Sequence, residues 1–256
     1  MAARLTKRDH FLFQALFSYG LLSTTQINQL VFSDVDYRTV LRRLRKLEKL
    51  KVIQRVRSCK VGTCVWYLRP IAAKRIGQEP IIKSVNRNLL EHDLLVNDIR
   101  LALNGHTSFL QWKSGHYLRH LQGKDQERIG HSDVIPDWIT RAVTSEGSKN
   151  ISLEIELSYK GPRRMLEVFR NYYGSKKSID SIWYFVPSTN FGKRVALKAK
   201  EICDYNGYRD SWFYWCLIDE FLSNPLKTPF YGLEKTKFLS DLVKLPAHNT
   251  AHPVGK

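Results

Sequence analysis

The sequence predicts an α/β protein in two parts, a short basic module followed by a larger domain built on a mixed sheet. Positive charge is concentrated at one end: residues 1–77 hold 16 Lys and Arg against 4 Asp and Glu, whereas residues 78–256 hold 25 against 20. The predicted elements also change along the chain, from three helices and a hairpin to strands that alternate with helices. These two observations place a domain boundary near residue 77.

The formal net charge of +17 favours a polyanionic partner, with nucleic acid the first candidate and an acidic membrane surface the second. Because the excess lies in the first third of the chain, it indicates a dedicated nucleic-acid module. No apolar run resembles a signal peptide or approaches the roughly 20 residues of a membrane span. We therefore expect a cytoplasmic protein that does not insert into membranes.

Three helices are predicted in the basic module. Thr6 caps the first, which stops at Tyr19-Gly20; the second covers 26–32 after Ser23-Thr24, and the third covers 37–50 behind Asp34 or Asp36. The apolar face of the first helix contains Phe11, Leu12, Ala15 and Leu16.

The third predicted helix separates cationic from apolar side chains. At 100° per residue, four cations fall within about 60° of one another and three apolar residues fall opposite. The two sets are Arg38, Arg42, Arg45 and Lys49 on one side, and Val40, Leu44 and Leu47 on the other. This pattern favours a recognition helix; the alternative is a solvated amphipathic helix.

Segments 52–56 and 64–68 alternate around Val61-Gly62 and predict a hairpin. Helix, helix, helix, hairpin is the order of a winged helix-turn-helix, so residues 1–77 are predicted to bind duplex DNA, followed by a linker over 78–85. The third helix would enter the major groove, and Arg57 and Lys60 on the wing would contact phosphates. Cys59 and Cys64 could face each other across the turn as a disulfide or half of a zinc site, but free thiols are favoured.

The second domain is predicted over 86–220, with a C-terminal extension over 221–256 that is disordered from about residue 245. Its first helix covers 86–104 and carries the apolar stripe Leu89, Val96, Ile99 and Leu103, with His92 in register. The strands that follow are predicted at 109–112, 117–121, 134–140, 151–157, 181–186 and 212–218, with helices at 162–174 and 193–204. This order predicts an α/β (α+β) domain with a mixed central sheet.

Three acidic side chains fall inside predicted strands, where a buried charge needs a partner. Asp137 follows Pro136, and Glu154 and Glu156 share one strand face. Converging carboxylates can bind Mg²⁺ or Mn²⁺, and such an ion can activate a water beside a scissile phosphate, with Lys160 neutralising developing charge. The alternative is a one-sided strand with Glu154 and Glu156 in solvent and Leu157 turned inward with its apolar neighbours.

Pro136-Asp137, followed 17 residues later by Glu154-Ile155-Glu156, resembles the PD-(D/E)xK nuclease signature. The last residue of that triplet is usually Lys, whereas some restriction endonucleases carry Glu-x-Glu as here. The resemblance implies a restriction-endonuclease-like domain in which Asp137 and Glu154 bind the metal. Glu156 would be a further ligand or the general base.

A basic winged helix followed by this motif is similar to the replication-relaxation family, which includes the C-type mobilisation relaxases of plasmids. The similarity covers about residues 5–186, and His92-Asp93 resembles a His-Asp pair that precedes the nuclease core in that family. It implies metal-dependent nicking of one DNA strand at a transfer origin in a bacterial cytoplasm, with relaxosome accessory and coupling proteins as partners. His92 is then either a core residue or a member of the catalytic site.

Several alternatives stay open. Single-stranded DNA is a further candidate ligand, and the chain could form a homodimer. The aromatic residues of the second domain either fill the core or stack on unpaired bases: Tyr172, Tyr173, Trp183, Tyr184 and Phe185. Tyr19 is exposed enough in principle to be a nucleophile, although no His-x-His pair supports tyrosine catalysis. The rival functions are a DNA-binding regulator with a degenerate nuclease fold and a double-strand endonuclease.

Overall fold

A computed structural model of the chain describes residues 5–57, 64–80, 82, 85–105, 108–122, 134–174, 179–206 and 212–244. The chain is mixed α/β and divides into two compact units. The first comprises residues 1–98 with 116–124, and the second comprises residues 99–115 with 125–256. None of the described helices is long and apolar enough to cross a membrane.

The elements that begin in the first unit follow the predicted order of three helices and a hairpin. They are α1 (Lys7–Tyr19), β1 (Leu21–Ser23), α2 (Thr24–Val31), α3 (Tyr37–Lys49), β2 (Ile53–Arg57), β3 (Cys64–Leu68), α4 (Pro70–Arg75) and α5 (Leu90–Asn104), the last continuing into the second unit. A 3₁₀ turn, Arg87–Leu89, precedes α5, and α6 (Gly115–Gln122) returns to this unit.

Side-chain caps fix the starts of the first three helices. The side chains of Thr6, Ser23 and Asp36 each accept a hydrogen bond from a backbone amide in the first turn, as N-cap residues do. Gly20 ends α1 with a φ of 82°, a conformation that glycine adopts without steric cost. The predicted caps are therefore confirmed, with Asp36 and not Asp34 as the cap of α3, although α2 begins at Thr24 and not at the predicted Gln26.

The small sheet of the first unit has three strands, with β3 between β1 and β2 and antiparallel to both. The core under it includes Leu21, Val65 and Leu90. Phe11 was predicted to lie on the apolar face of α1, but it is 68% exposed, whereas Phe13 is buried. Leu12 and Leu16 already fill the inward stripe, which leaves Phe11 on the outer side.

The second unit contains a seven-stranded sheet, in the spatial order β10-β9-β8-β7-β6-β5-β4. Its strands are β4 (Phe109–Ser114), β5 (Trp138–Thr144), β6 (Gly147–Ile155), β7 (Ser181–Val186), β8 (Phe213–Leu217), β9 (Phe230–Gly232) and β10 (Thr236–Lys237). Neighbours β6, β7 and β8 run parallel and the other pairs run antiparallel, which confirms the predicted mixed central sheet. The helices that begin in this unit are α7 (Pro162–Gly174), α8 (Thr189–Asn206), α9 (Ile218–Ser223) and α10 (Leu239–Leu242).

Helices α7 and α8 pack on one face of this sheet. Met165 and Phe169 from α7 and Val195 from α8 form a buried cluster with Tyr184 of β7 and Phe213 of β8. The burial of these aromatic rings removes a large apolar area from water and so stabilises the folded state. The cluster anchors α7 beside the end of β6, where the predicted acidic site lies.

Four further predictions made from the sequence differ from the structure. Residues 117–121 were predicted as a strand but lie in α6, because their apolar residues also fit a helical spacing. The strand predicted at 134–140 begins only at Trp138, and the one predicted at 151–157 ends at Ile155, so Asp137 and Glu156 lie just outside strands. Leu89, assigned to an apolar stripe, is 48% exposed because it lies in the turn before α5.

Candidate functional site

The carboxylate of Asp137 is fixed across the antiparallel pair β5 and β6. Its Oδ2 accepts a hydrogen bond from the backbone amide of Ile155 at 2.9 Å. The strand register pairs Trp138 with Leu153, so the next position along the ladder puts Asp137 opposite Glu154. Two of the predicted acidic residues are therefore brought together at one end of the sheet.

Glu154 points toward helix α7. The hydroxyl of Tyr172 on α7 donates a hydrogen bond to its carboxylate, and the same hydroxyl lies 2.9 Å from the hydroxyl of Ser152. Tyr172 is 1% exposed, so this contact is buried. The sequence analysis considered Tyr172 only as a core or stacking residue. No motif predicted its hydrogen bond to Glu154.

Glu156 lies directly after β6 and is 6% exposed. Its backbone amide donates to the carbonyl of Phe185 at 3.0 Å, and its Oε2 lies 2.7 Å from Nζ of Lys160. The side chain of Lys160 is half-exposed, at 48%. The alternative of a one-sided strand with both glutamates in solvent is wrong, because Glu156 is buried and Leu157, expected to point inward, is 42% exposed.

The acidic side chains interact electrostatically. Burial, together with the negative charges of Asp137 and Glu156, raises the pKa of Glu154 to about 8, although Tyr172 and Lys160 oppose the shift. Burial lowers the pKa of Lys160, but its bond to Glu156 and the neighbouring acids outweigh this and raise it. The cluster therefore favours a bound cation, and Lys160 supplies one positive charge at its exposed edge.

The chemistry of these side chains fits a hard divalent cation, since carboxylate oxygens are the ligands that Mg²⁺ and Mn²⁺ prefer. Within the described residues, however, no three His, Cys, Asp or Glu side chains are already arranged as a set of metal ligands. Asp137 is held by the Ile155 amide, Glu154 by Tyr172 and Glu156 by Lys160. A cation would have to share or displace these partners, for which a rotation of the glutamate side chains is required.

His92 lies in the first unit, on α5, and its Nδ1 is 3.4 Å from Oδ1 of the adjacent Asp93. His116 on α6 lies 3.5 Å from the other carboxylate oxygen of Asp93. Burial raises the pKa of Asp93, but the hydrogen bonds and charges of His116 and His92 hold it at about 2. The contact of His116 with Asp93 was not predicted, because a strand and not a helix was expected to begin at residue 117.

The cationic face predicted for α3 is present in the first unit. Val40, Leu44 and Leu47 are fully buried, whereas the four cations are exposed: Arg38, Arg42, Arg45 and Lys49. Arg57 ends β2, paired in register with Cys64, while Lys60 lies outside the described residues. The predicted division of the helix into two faces is therefore confirmed.

A buried ion pair holds this helix. Arg43, on the half-buried flank of α3, donates from Nε to Asp9 of α1 at 2.8 Å. Asp9 is 1% exposed and also accepts from the backbone of Thr6. Burial raises the pKa of Asp9, but its bonds to Arg43 and Thr6 outweigh this and lower it.

The aromatic residues considered as a nucleophile or as stacking partners are mostly buried, which favours the core role. Tyr19 is 4% exposed and cannot present its hydroxyl as an external nucleophile. Of the group considered for base stacking, Tyr172, Trp183, Tyr184 and Phe185 are each at most 1% exposed, so these four belong to the core. The side chain of Tyr173 lies outside the described residues.

Three cysteines are free thiols: Cys64, Cys203 and Cys216. The first is partly buried and the other two are buried. The expectation of free thiols concerned Cys59 and Cys64; it holds for Cys64, while Cys59 lies outside the described residues.

Fold and site together define a mixed α/β protein with an exposed basic helix in one unit and a cluster of carboxylates at strand ends in the other. The chain belongs to the replication-relaxation family, whose profile matches residues 13–176. No curated protein and no solved structure matches the chain. Membership of the family points to a role in plasmid or replication processes.

Proposed function

We propose that this chain is a sequence-specific DNA-binding protein that nicks one strand at the transfer origin of a plasmid or mobile element, in a metal-dependent reaction. The observation that carries the proposal is the placement of Asp137 opposite Glu154 at adjacent strand ends, with Glu156 and Lys160 beside them. This placement supports a PD-(D/E)xK-like nuclease site in a member of the replication-relaxation family, provided that the glutamate side chains rotate to share a cation.

The first unit recognises duplex DNA as a winged helix. The order of α1, α2, α3 and the β2–β3 hairpin, and the exposed cations of α3, support this assignment. Arg42 and Arg45 face the major groove, where arginine can bind guanine edges or phosphates. Arg57, at the end of β2, contacts the phosphate backbone, and a transfer origin is the expected target.

In the second unit, Asp137 and Glu154 are the residues that would hold Mg²⁺ or Mn²⁺. When bound, the ion would activate the attacking water and stabilise the leaving oxygen of a phosphodiester. Glu156 accepts the proton of that water or adds a further ligand, and Lys160 neutralises charge on the phosphate. Tyr172 orients Glu154 through its hydroxyl. Relaxosome accessory and coupling proteins are the expected partners in the bacterial cytoplasm.

A non-catalytic DNA-binding regulator is the second candidate. It is favoured by one specific feature: Glu156 stands where the nuclease signature usually has Lys, and its carboxylate is paired with Lys160. On the first proposal, Lys160 takes over the role of the missing lysine. On the second, the pair is only a structural contact and the nuclease fold has lost its chemistry.

Supercoiled plasmid that carries a transfer origin, incubated with the full chain in Mn²⁺ or Mg²⁺, tests these proposals. Open circles that form with metal and not with EDTA support a nicking enzyme. Linear product would instead indicate a double-strand endonuclease. Plasmid that stays supercoiled, while the chain still binds origin duplex, would favour the regulator.

A further inference from the structure

An exposed arginine lies over an aromatic ring on the loop that follows β6. The guanidinium carbon of Arg194 is 3.8 Å from the centroid of the Tyr159 ring. Phe191 meets the same ring edge-on, at 5.7 Å between centroids and an interplanar angle of 83°. We call Tyr159, Phe191 and Arg194 the Tyr159 platform.

The inner side of the platform is packed against the protein core. Tyr159 and Phe191 both pack against the buried cluster between α7, α8 and the sheet. Phe191 and Arg194 are three residues apart on α8, so they lie on one helical face. Because the ring holds the guanidinium in place, less side-chain entropy is lost when Arg194 binds a ligand.

The platform adjoins the acidic cluster in sequence. Tyr159 immediately precedes Lys160, whose Nζ is 2.7 Å from Glu156. Consecutive Cα atoms are about 3.8 Å apart, so the Cα atom of Tyr159 is next to that of the lysine whose ammonium contacts Glu156. Arg194 and its neighbour Lys193 are exposed, which provides positive charge for a phosphate backbone.

We propose that the Tyr159 platform binds unpaired nucleotides of single-stranded DNA next to the proposed cleavage site. A base stacks on the outer plane of the Arg194 guanidinium, and the guanidinium edge donates to a neighbouring phosphate. The base must be unpaired, since base faces are inaccessible within a duplex. The location of the bound nucleotides next to a cleavage site rests on the proposed function. The binding of single-stranded DNA by the platform does not.

Fluorescence anisotropy of the full chain with a labelled oligothymidine of about 12 nucleotides tests this assignment. We expect R194A to weaken single-strand binding by about tenfold, the loss of one stacked base, and R194K to weaken it severalfold despite its charge. Y159L, which keeps an apolar side chain in place, should also weaken it. K200A is the matched control, because it removes an exposed cation from the same helix, and it should change affinity less than about twofold.

A labelled duplex provides the second arm, since binding through α3 should be unaffected by R194A. Equal effects of R194A and K200A on the single strand, or equal loss of single-strand and duplex binding in R194A, would overturn the proposal. If wild type fails to nick plasmid but its single-strand affinity depends on Arg194 and Tyr159, the nicking proposal fails and the platform stands. Thermal melts confirm that the variants are folded.

Discussion

Arg43 on α3 and Asp9 on α1 form an ion pair, with Nε of Arg43 2.8 Å from Oδ1 of Asp9. The Asp9 side chain is buried, whereas Arg43 is partly exposed. Asp9 also closes the capping box of α1 through Thr6. One carboxylate thus stabilises the start of α1 and fixes the rotation of α3. Because the bond to Asp9 holds the Arg43 side of α3 against α1, the opposite side of α3 faces solvent. That side carries the four exposed cations.

Replacing Asp9 with alanine should lower the free energy of unfolding by about 3 kcal/mol, because it leaves a partly buried arginine without its carboxylate and removes a helix cap. Urea denaturation measures this loss. The exposed pair of Arg8 and Asp34, at 3.1 Å, supplies the control, and D34A should cost less than about 1 kcal/mol. Similar losses in both variants would mean that burial of Asp9 has no energetic role.

Replacing Arg42 or Arg45 with alanine should weaken duplex binding. Each arginine that neutralises a phosphate releases a counterion, so each variant should reduce the slope of log affinity against log salt by about 1. K74A, an exposed charge on α4, is the control for general electrostatic attraction. An effect of K74A as large as that of R42A would argue against α3 as the recognition helix.

Asp93 should make stability depend on pH. Its folded pKa of about 2 lies below the unfolded value of about 3.9, so its charged form contributes about 2 kcal/mol above about pH 4. This contribution decreases as the pH falls from about 4 toward 2. D93N should therefore be less stable than wild type near pH 6, and the difference should shrink near pH 2. A difference that stays constant across this range would contradict the ion pairs with His92 and His116.

Glu154 provides a test of metal binding that does not depend on cleavage. Gln has the shape of a protonated Glu, so E154Q should be at least as stable as wild type in EDTA, because burial and nearby negative charge disfavour the ionised form. Mn²⁺ should raise the melting temperature of wild type and have little effect on E154Q. Equal stabilisation of both proteins would place the ion elsewhere.

Much of this architecture could be predicted from the sequence. The caps Thr6, Ser23 and Asp36 and the two faces of α3 follow from local rules, because capping and helical periodicity involve residues only a few positions apart. The strand β1 and the short strands β9 and β10 could not be predicted, since strands of two or three residues have too little alternation to recognise.

The acidic residues of the candidate site could be predicted from the sequence. The residues that contact them could not. Asp137 and Glu154 were found because carboxylates in apolar segments are unusual. The contact of Tyr172 with Glu154 depends on how α7 packs on the sheet, and the contact of His116 with Asp93 depends on a segment that forms a helix. Both are long-range contacts, which sequence spacing does not reveal.

The most direct test of the account compares wild type with D137A on supercoiled plasmid in Mn²⁺, together with their affinity for origin duplex. Asp137 is held at the cluster by the Ile155 amide and lies in a different unit from α3. We therefore predict that D137A abolishes open-circle formation and leaves duplex affinity within about twofold of wild type. A D137A protein that nicks as fast as wild type would contradict the assignment of the acidic cluster as the active site.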